Sequence, residues 1–229
     1  MTLLATIFPL LCYFAYNLAI PLVERHRPSL SVIMSMERRR WVANAARRES
    51  PFDAILSGNL MSSVSFMAST SALLVLAVLA VFGQLPALMT ALETISLQRA
   101  HDVHDVVVQL VVMLSLFVLA FFAFTLSLRQ FNHFCIMLGA ISRDAVPNPA
   151  ELDALAQLNS LGARNFNSGI RAYYFSVATV VWFAAEWLSI AASLVTILIL
   201  IHREFFSTAH RVAASAAVLA SRRERGIGE

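Results

Sequence analysis

The residue whose type and position most directly suggest chemistry is Glu186, a lone carboxylate within a long apolar run. The run extends from Ala172 to Ile201 and contains no other charged residue. A charged group at the centre of a membrane span costs roughly 2.5–3.5 kcal/mol to insert, so such residues are usually functional. Glu186 is therefore a candidate for cation binding or proton relay. The alternative is a protonated carboxyl that hydrogen-bonds to a neighbouring helix and serves only as structural glue.

A second candidate is a face of small hydroxyl residues in the uncharged run that precedes Glu93. Ser62, Ser65 and Ser69 follow one another at spacings of three and four, so a helix places them on one face. Such a face could line a hydrated pore together with Glu186. The alternative is close packing between helices, for which small residues are enriched in membranes. The two interpretations are compatible if the face lies at a subunit interface around a central pathway.

Just before the third apolar run, three residues have side chains that can bind a metal ion. On a helix His101, His104 and Asp105 share a face, at positions i, i+3 and i+4. Imidazole and carboxylate ligands suit zinc or copper, and imidazole also suits a pH sensor. Three ligands from one short helix make an incomplete site, so a fourth must come from elsewhere. The alternative is a solvated helix start, where acidic residues are favourable.

Arginines at the edges of the apolar runs are candidates for contact with lipid. Arg129 and Arg171 either anchor helices by reaching to the interface or form a site for an anionic lipid or another anion. A basic triplet in the first connection predicts a surface helix against anionic headgroups, or simply a solvated topology signal. The triplet consists of Arg38, Arg39 and Arg40.

The composition predicts that these residues sit on membrane-spanning helices. Hydrophobic residues make up 59% of the 229 residues and charged residues only 14%, against roughly 25% in soluble domains. A span needs about 20 mainly apolar residues in helix, because the backbone must satisfy its own hydrogen bonds in lipid. We therefore predict one all-α integral membrane domain over residues 1–229 with four transmembrane helices. They cover approximately residues 2–23, 60–83, 106–128 and 172–201.

Arginine counts predict the orientation of these spans. The connection 24–53 holds seven arginines and the connection 129–171 holds four, so both are expected in the cytoplasm. The N-terminus then lies outside, in a bacterial inner membrane. The same topology places the C-terminus outside, although the tail holds five arginines. A fourth segment that does not fully cross the membrane would also explain those arginines.

Helical extensions beyond the spans are also expected. A helix that starts at Ser50-Pro51 and ends at Phe82 would be about 48 Å long and would project into the cytoplasm. Asn148 and Glu151 form a capping-box-like start for a short amphipathic helix. Asn167-Ser168-Gly169 predicts a loop and cap before the fourth span. Residues 203–225 predict an amphipathic tail helix that suits a partner helix or the bilayer surface.

Three stretches of the sequence carry a family resemblance, and the third is the most specific. They are Arg40-Trp41 with Asp53 and Asn59, Arg129-Gln130-Phe131-Asn132 with Gly139, and Asn167-x-Gly169-x-Arg171-x-Tyr173-Tyr174 with Trp182. In these stretches the chain resembles the domain of unknown function 599 family, multi-span membrane proteins of bacteria and plants. The resemblance implies a helical membrane protein and implies no activity.

The first hypothesis for function is an oligomeric channel or small-solute or ion pore, in which Glu186 and the three serines line the pathway. The second is a non-transporting scaffold or accessory subunit that holds lipids or a partner protein. A weaker third option is a membrane enzyme that uses a metal at His101. We expect no cofactor and no catalytic residues, since no nucleophile–base pair or phosphate loop stands out. Arginines that flank apolar runs argue against nucleic-acid binding.

Overall fold

The chain is helical throughout the part that the structure describes. The computed structural model describes residues 2–48, 51–95, 102–141 and 148–224. These ranges contain eight helices and no strand, which confirms the all-α prediction. The helices are α1 (Thr2–Glu24), α2 (Leu30–Ala45), α3 (Phe52–Phe82), α4 (Leu85–Ile95), α5 (Val103–Ala140), α6 (Pro149–Val181), α7 (Glu186–Phe205) and α8 (Thr208–Glu224).

Four helical segments among the described residues are long and apolar enough to cross a membrane. They are Leu3–Glu24, Phe52–Phe82, Val103–Ala140 and Glu186–Arg223. The number of apolar spans therefore agrees with the sequence, and the chain is an integral membrane protein by length and composition of its helices. The helix α4, which follows the second span after a short turn, was not predicted.

The predicted fourth helix over residues 172–201 is wrong, because the chain breaks within it. Helix α6 ends at Val181 and α7 begins at Glu186. At the break, the amides of Phe183 and Ala184 donate to carbonyls only three residues back, at 3.2 and 3.1 Å. Such bonds tighten a last turn and end a helix. Glu186 thus starts a helix and does not lie in the middle of one.

Helix α6 starts where the sequence predicts, but it continues much further than expected. The Asn148 side chain accepts a hydrogen bond from the amide of Ala150 at 3.0 Å, which confirms the cap. The predicted loop at Asn167-Ser168-Gly169 is wrong, since these residues lie inside α6. One continuous helix of 33 residues replaces the expected short helix, loop and new start.

The chain divides into two compact units, which differ in their number of arginines. Unit 1 comprises residues 1–19, 64–125 and 165–198, and unit 2 comprises residues 20–63, 126–164 and 199–229. By sequence, unit 2 contains 15 of the 17 arginines, seven in its first range, three in its second and five in its third. Unit 1 contains only Arg99 and Arg171.

In unit 1, buried residues of four helices (α1, α3, α4 and α5) form a cluster with Trp182, which is fully buried. Helix α6 runs antiparallel to α5, since Gln109 donates to the carbonyl of Thr179 at 2.7 Å while the rings of Phe124 and Phe166 meet at 5.6 Å. The cluster around Trp182 contains Ala5, Val78, Leu92, Val106, Leu110, Met113 and Phe117.

In unit 2, the tail helix packs against the basic first connection. Helices α2 and α8 contact each other, and a ring nitrogen of His210 lies 3.1 Å from the carbonyl oxygen of Pro28. The Arg27 guanidinium donates to the carbonyl of Phe205 and covers the ring of Phe206 at 4.5 Å. The predicted topology, which separated the tail from the first connection by the membrane, is therefore wrong. The tail helix begins at Thr208, five residues later than expected.

Candidate functional site

The serine face, formed by Ser62, Ser65 and Ser69, is exposed on α3. Only 22% of the most apolar stretch of α3 is buried within the chain, against 44% for α5. The neighbouring Ser63 lies on another face, and its hydroxyl donates to the carbonyl of Asn59 in the same helix at 3.0 Å. The three serines thus form a polar stripe on a span that the rest of the chain leaves uncovered.

Glu186 does not lie at the level of the serine face. It is the first residue of α7 and is partly exposed. The nearby Trp182 belongs to the same buried cluster as Val78, which is nine residues beyond Ser69 on α3, or about 13 Å along the helix. A carboxylate in the first turn of a helix interacts favourably with the helix dipole. This position gives Glu186 a structural role that needs no ligand.

The predicted metal site is not assembled in the described part of the chain. His104 is exposed and Asp105 is partly exposed in the first turn of α5. His101 lies outside the described residues. Among the described residues no three His, Cys, Asp or Glu side chains lie close enough together to hold a metal ion.

The two arginines predicted to share an anion site belong to different units. Arg129 is an exposed residue of unit 2. Arg171 is buried in unit 1, where it donates to Asn17 Oδ1 at 3.0 Å and lies over the Tyr16 ring at 5.1 Å. Arg171 therefore ties α6 to α1, which is a role in packing.

Two members of the basic triplet on α2 are engaged with carboxylates. Arg39 contacts Asp153 at 2.6 Å and Arg40 contacts Glu37 at 2.6 Å. Arg38 is partly buried, and this burial lowers the pKa of its guanidinium. The triplet is therefore not a uniform row of solvated charges, and Arg39 links α2 to α6 at the surface of unit 2.

Beside this triplet, unit 2 has a cavity of about 510 Å³ between α2 and α8, here called the arginine cavity. It is lined by Glu37, Arg40, Trp41, Asn44, Arg48, Ala220 and Arg223. Three guanidinium groups and one carboxylate line it, so its net charge favours an anion. The sequence did not indicate that the tail contributes a residue here.

A second site that the sequence analysis missed is centred on Asp53, at the start of α3. The side chain of Asp53 is 6% exposed. Its Oδ1 accepts a 2.6 Å hydrogen bond from the indole of Trp41 and lies 3.6 Å from the Arg48 guanidinium. The Trp41 ring packs on Phe134 with ring centroids 5.6 Å apart. Both Trp41 and Asp53 belong to the stretches that carry the family resemblance, which was the available signal.

Asp53 borders a cavity of about 350 Å³, here called the Asp53 cavity. Among the described residues, Asp53 Oδ2 and the buried hydroxyl of Ser57 have no hydrogen-bond partner. The lining consists of Ala45, Ala46, Arg48, Asp53, Ala54, Ser57, Gly58, Met61, Cys135, Leu138, Gly139 and Ile141. Buried polar groups are nearly always paired, so two unpaired atoms beside one cavity are unusual.

Comparison with protein families adds one finding. The model of the family described as "Protein of unknown function, DUF599" matches residues 4–209. The chain belongs to the DUF599 family. The match covers α1 to α7 and reaches the first residues of α8. Comparison of this DUF599 chain with curated proteins and with solved structures found no match.

Proposed function

We propose that this DUF599 protein is an oligomeric membrane channel or pore for a small solute or ion, with the serine face lining its pathway. The observation that supports the proposal is the exposure of Ser62, Ser65 and Ser69 on an apolar span. Hydroxyl groups that face hydrocarbon lose hydrogen bonds to water, whereas the same groups along a hydrated pathway keep them.

The serine face favours several copies of the chain around one axis. Small residues allow close approach of helices in a membrane, so α3 is suited to contact its copies. The stripe continues at spacings of four and three to Leu73 and Leu76, which are both exposed. These leucines would form an apolar constriction, and such constrictions close pores by excluding water. Glu186 would then act at one end of the pathway, where a carboxylate attracts cations.

The arginine distribution supports an orientation for the proposed channel. Because unit 2 holds 15 of the 17 arginines, the positive-inside rule favours a location for unit 2 on the cytoplasmic side of a bacterial inner membrane. The N-terminus then lies outside. The tail lies inside with the first connection, because α6 runs back antiparallel to the span α5 and adds a fifth crossing to the four apolar spans. This removes the conflict that five external arginines would create.

This orientation predicts the outcome of C-terminal reporter fusions in a bacterium. Green fluorescent protein fused after Glu229 is expected to fluoresce, and alkaline phosphatase fused there is expected to be inactive. The reason is that the first reporter matures only in the cytoplasm and the second only outside it. Phosphatase with a cleavable signal, fused directly before Met1, is the positive control for phosphatase activity and is expected to be active. An active C-terminal phosphatase would contradict the orientation.

Flux through proteoliposomes tests the channel directly. Purified protein is expected to conduct small ions, and Ser65→Leu is expected to reduce the flux by about tenfold or more, because it replaces a pathway hydroxyl with a bulky apolar group. The measurement compares dye-reported flux of K⁺, Na⁺ and Cl⁻ at equal protein density.

Ser63→Leu is the matched control for this substitution. Ser63 is exposed on the same helix, but its position lies about 160° around the helix from Ser65. It is therefore expected to leave the flux within about twofold of wild type. Equal losses in the two variants would show that the serine face is not the pathway, and flux no greater than in empty liposomes would reject the channel.

The second candidate function is a non-transporting scaffold or accessory subunit that binds anionic lipid. The arginine cavity favours it, because Arg40, Arg48 and Arg223 converge there within the arginine-rich unit 2. This alternative gains support if correctly folded protein shows no flux and retains anionic lipid through purification.

A further inference from the structure

The Asp53 cavity has the properties of a ligand site, and the proposed pore makes no use of it. Its volume of about 350 Å³ falls within the range typical of small-molecule sites, roughly 300–1,000 Å³. Its lining is mostly apolar, with a few polar groups concentrated at Asp53, Ser57 and Arg48. All lining residues belong to unit 2.

The unpaired polar atoms of the cavity can accept hydrogen bonds from a ligand. A carboxylate offers about four acceptor positions. Asp53 Oδ1 is engaged by Trp41 and approached by Arg48, whereas Oδ2 accepts no bond from any described residue. The Ser57 hydroxyl, one helical turn further along α3, is likewise unpaired in the described part of the chain. A ligand that donates two hydrogen bonds would satisfy both atoms at once.

The acceptor is held in place before any ligand arrives. The Trp41 indole fixes Oδ1 at 2.6 Å, and the Trp41 ring is itself held by Phe134. Phe134 belongs to a buried cluster with Val42, Leu155 and Ala156. A preorganised acceptor strengthens binding, because little conformational freedom is lost when the ligand enters.

Two glycines provide the space for the ligand body. A Cβ atom built at Gly58 or Gly139 meets no atom of the described residues within 4 Å. Both glycines line the cavity, together with the apolar side chains of Met61, Leu138 and Ile141. The cavity therefore combines one charged acceptor with an open apolar compartment.

We propose that the Asp53 cavity binds a small organic cation, a primary ammonium group on a short apolar body. The ammonium donates to Asp53 Oδ2 and to Ser57 Oγ, and the hydrocarbon part packs against Met61, Leu138 and Ile141. Arg48 lies 3.6 Å from Oδ1 and offsets the charge of Asp53, so the preference for a cation over an anion rests on the acceptor Oδ2, which is unpaired among the described residues. A bound metal ion needs several protein ligands, and the described residues bring no three His, Cys, Asp or Glu side chains together. The proposal does not depend on the channel, because its site and its assay involve no flux.

Calorimetry with cyclohexylammonium on the full chain in lipid nanodiscs is the first test. The cation is expected to bind at least about tenfold more tightly than cyclohexanol or cyclohexanecarboxylate, since only it provides charged donors to Asp53. The two comparison probes have the same ring, so they separate charge recognition from filling of an apolar space. Equal affinity for cyclohexanol would overturn the proposal.

Cys135 provides a second readout, because it lines the cavity and is partly exposed. Cyclohexylammonium is expected to slow alkylation of Cys135 by N-ethylmaleimide by about tenfold at saturation, since a bound ligand blocks access to the thiol. Cys12 is buried and does not line the cavity, so it is not expected to contribute to the alkylation signal. No protection at a cation concentration that saturates the calorimetric signal would place the bound cation outside the cavity.

Three variants locate the binding site. Asp53→Asn retains an acceptor for Trp41 and is expected to weaken cation binding by about tenfold or more. Asp153→Asn removes the same charge elsewhere in unit 2 and is expected to bind as wild type does. Gly139→Leu places a side chain in the open space and is expected to abolish both binding and Cys135 protection. Indistinguishable affinities for the two aspartate variants, or unchanged binding by Gly139→Leu, would refute the proposal.

Discussion

Trp182→Ala is expected to lower the free energy of unfolding by about 3–5 kcal/mol, the usual cost of removing a fully buried tryptophan. Trp182 is 0% exposed and packs against residues of several helices of unit 1. Truncation leaves a cavity whose lining loses its van der Waals contacts, and such contacts are a main source of helix association in membranes. The measurement is unfolding of the purified protein by sodium dodecyl sulphate in mixed micelles.

Trp187→Ala is the control for this prediction, because it removes the same side chain five residues later. Trp187 is 58% exposed, and its loss is expected to change the free energy of unfolding by no more than about 0.5 kcal/mol. If both variants unfold at the same detergent fraction, Trp182 is not the centre of the unit 1 core.

The sequence predicted the number of apolar spans, but it did not predict the break after α6. Each span is a long apolar run, and length alone identifies it. The break occurs between Val181 and Glu186, in a segment that contains no glycine or proline. The segment is apolar up to Glu186, so neither hydropathy nor a helix-breaking residue marks the break in the sequence.

The candidate sites differed in how well the sequence predicted them, because one depends on local helical spacing and the other on tertiary contacts. The serine face depends only on helical spacing, and α3 places its three residues together as expected. The Asp53 cavity depends on contacts between residues far apart in the chain. Trp41 and Asp53 are 12 residues apart, and Cys135 comes from another helix. No local pattern connects them, although a polar pair at Asp53 and Ser57, one turn apart, is visible in the sequence.

Gly169 shows how a local signal can mislead. After Asn167 and Ser168 it reads as part of a loop and a helix cap, whereas it lies inside α6. Its small size serves packing instead. A Cβ atom at Gly169 would lie 2.6 Å from the Phe124 ring, and one at Gly162 would lie 3.0 Å from the Phe131 ring. The two glycines are seven residues apart, and so are the two phenylalanines, which is about two helical turns. Helices α5 and α6 therefore make the same glycine–phenylalanine contact at two positions.

Gly169→Ala is therefore expected to destabilise the protein by about 1–3 kcal/mol, as overpacking of a buried site does. The Phe124 ring cannot easily move, because it is 0% exposed and lies against the rings of Phe166 and Tyr173. Detergent unfolding measures the loss, and Gly58→Ala is the control. Gly58 is inside α3 with open space around its Cβ position, so alanine there is expected to raise stability by roughly 0.5–1 kcal/mol through helix propensity. A stabilising Gly169→Ala would mean that helix propensity outweighs the contact, and that α5 and α6 do not approach closely at this position.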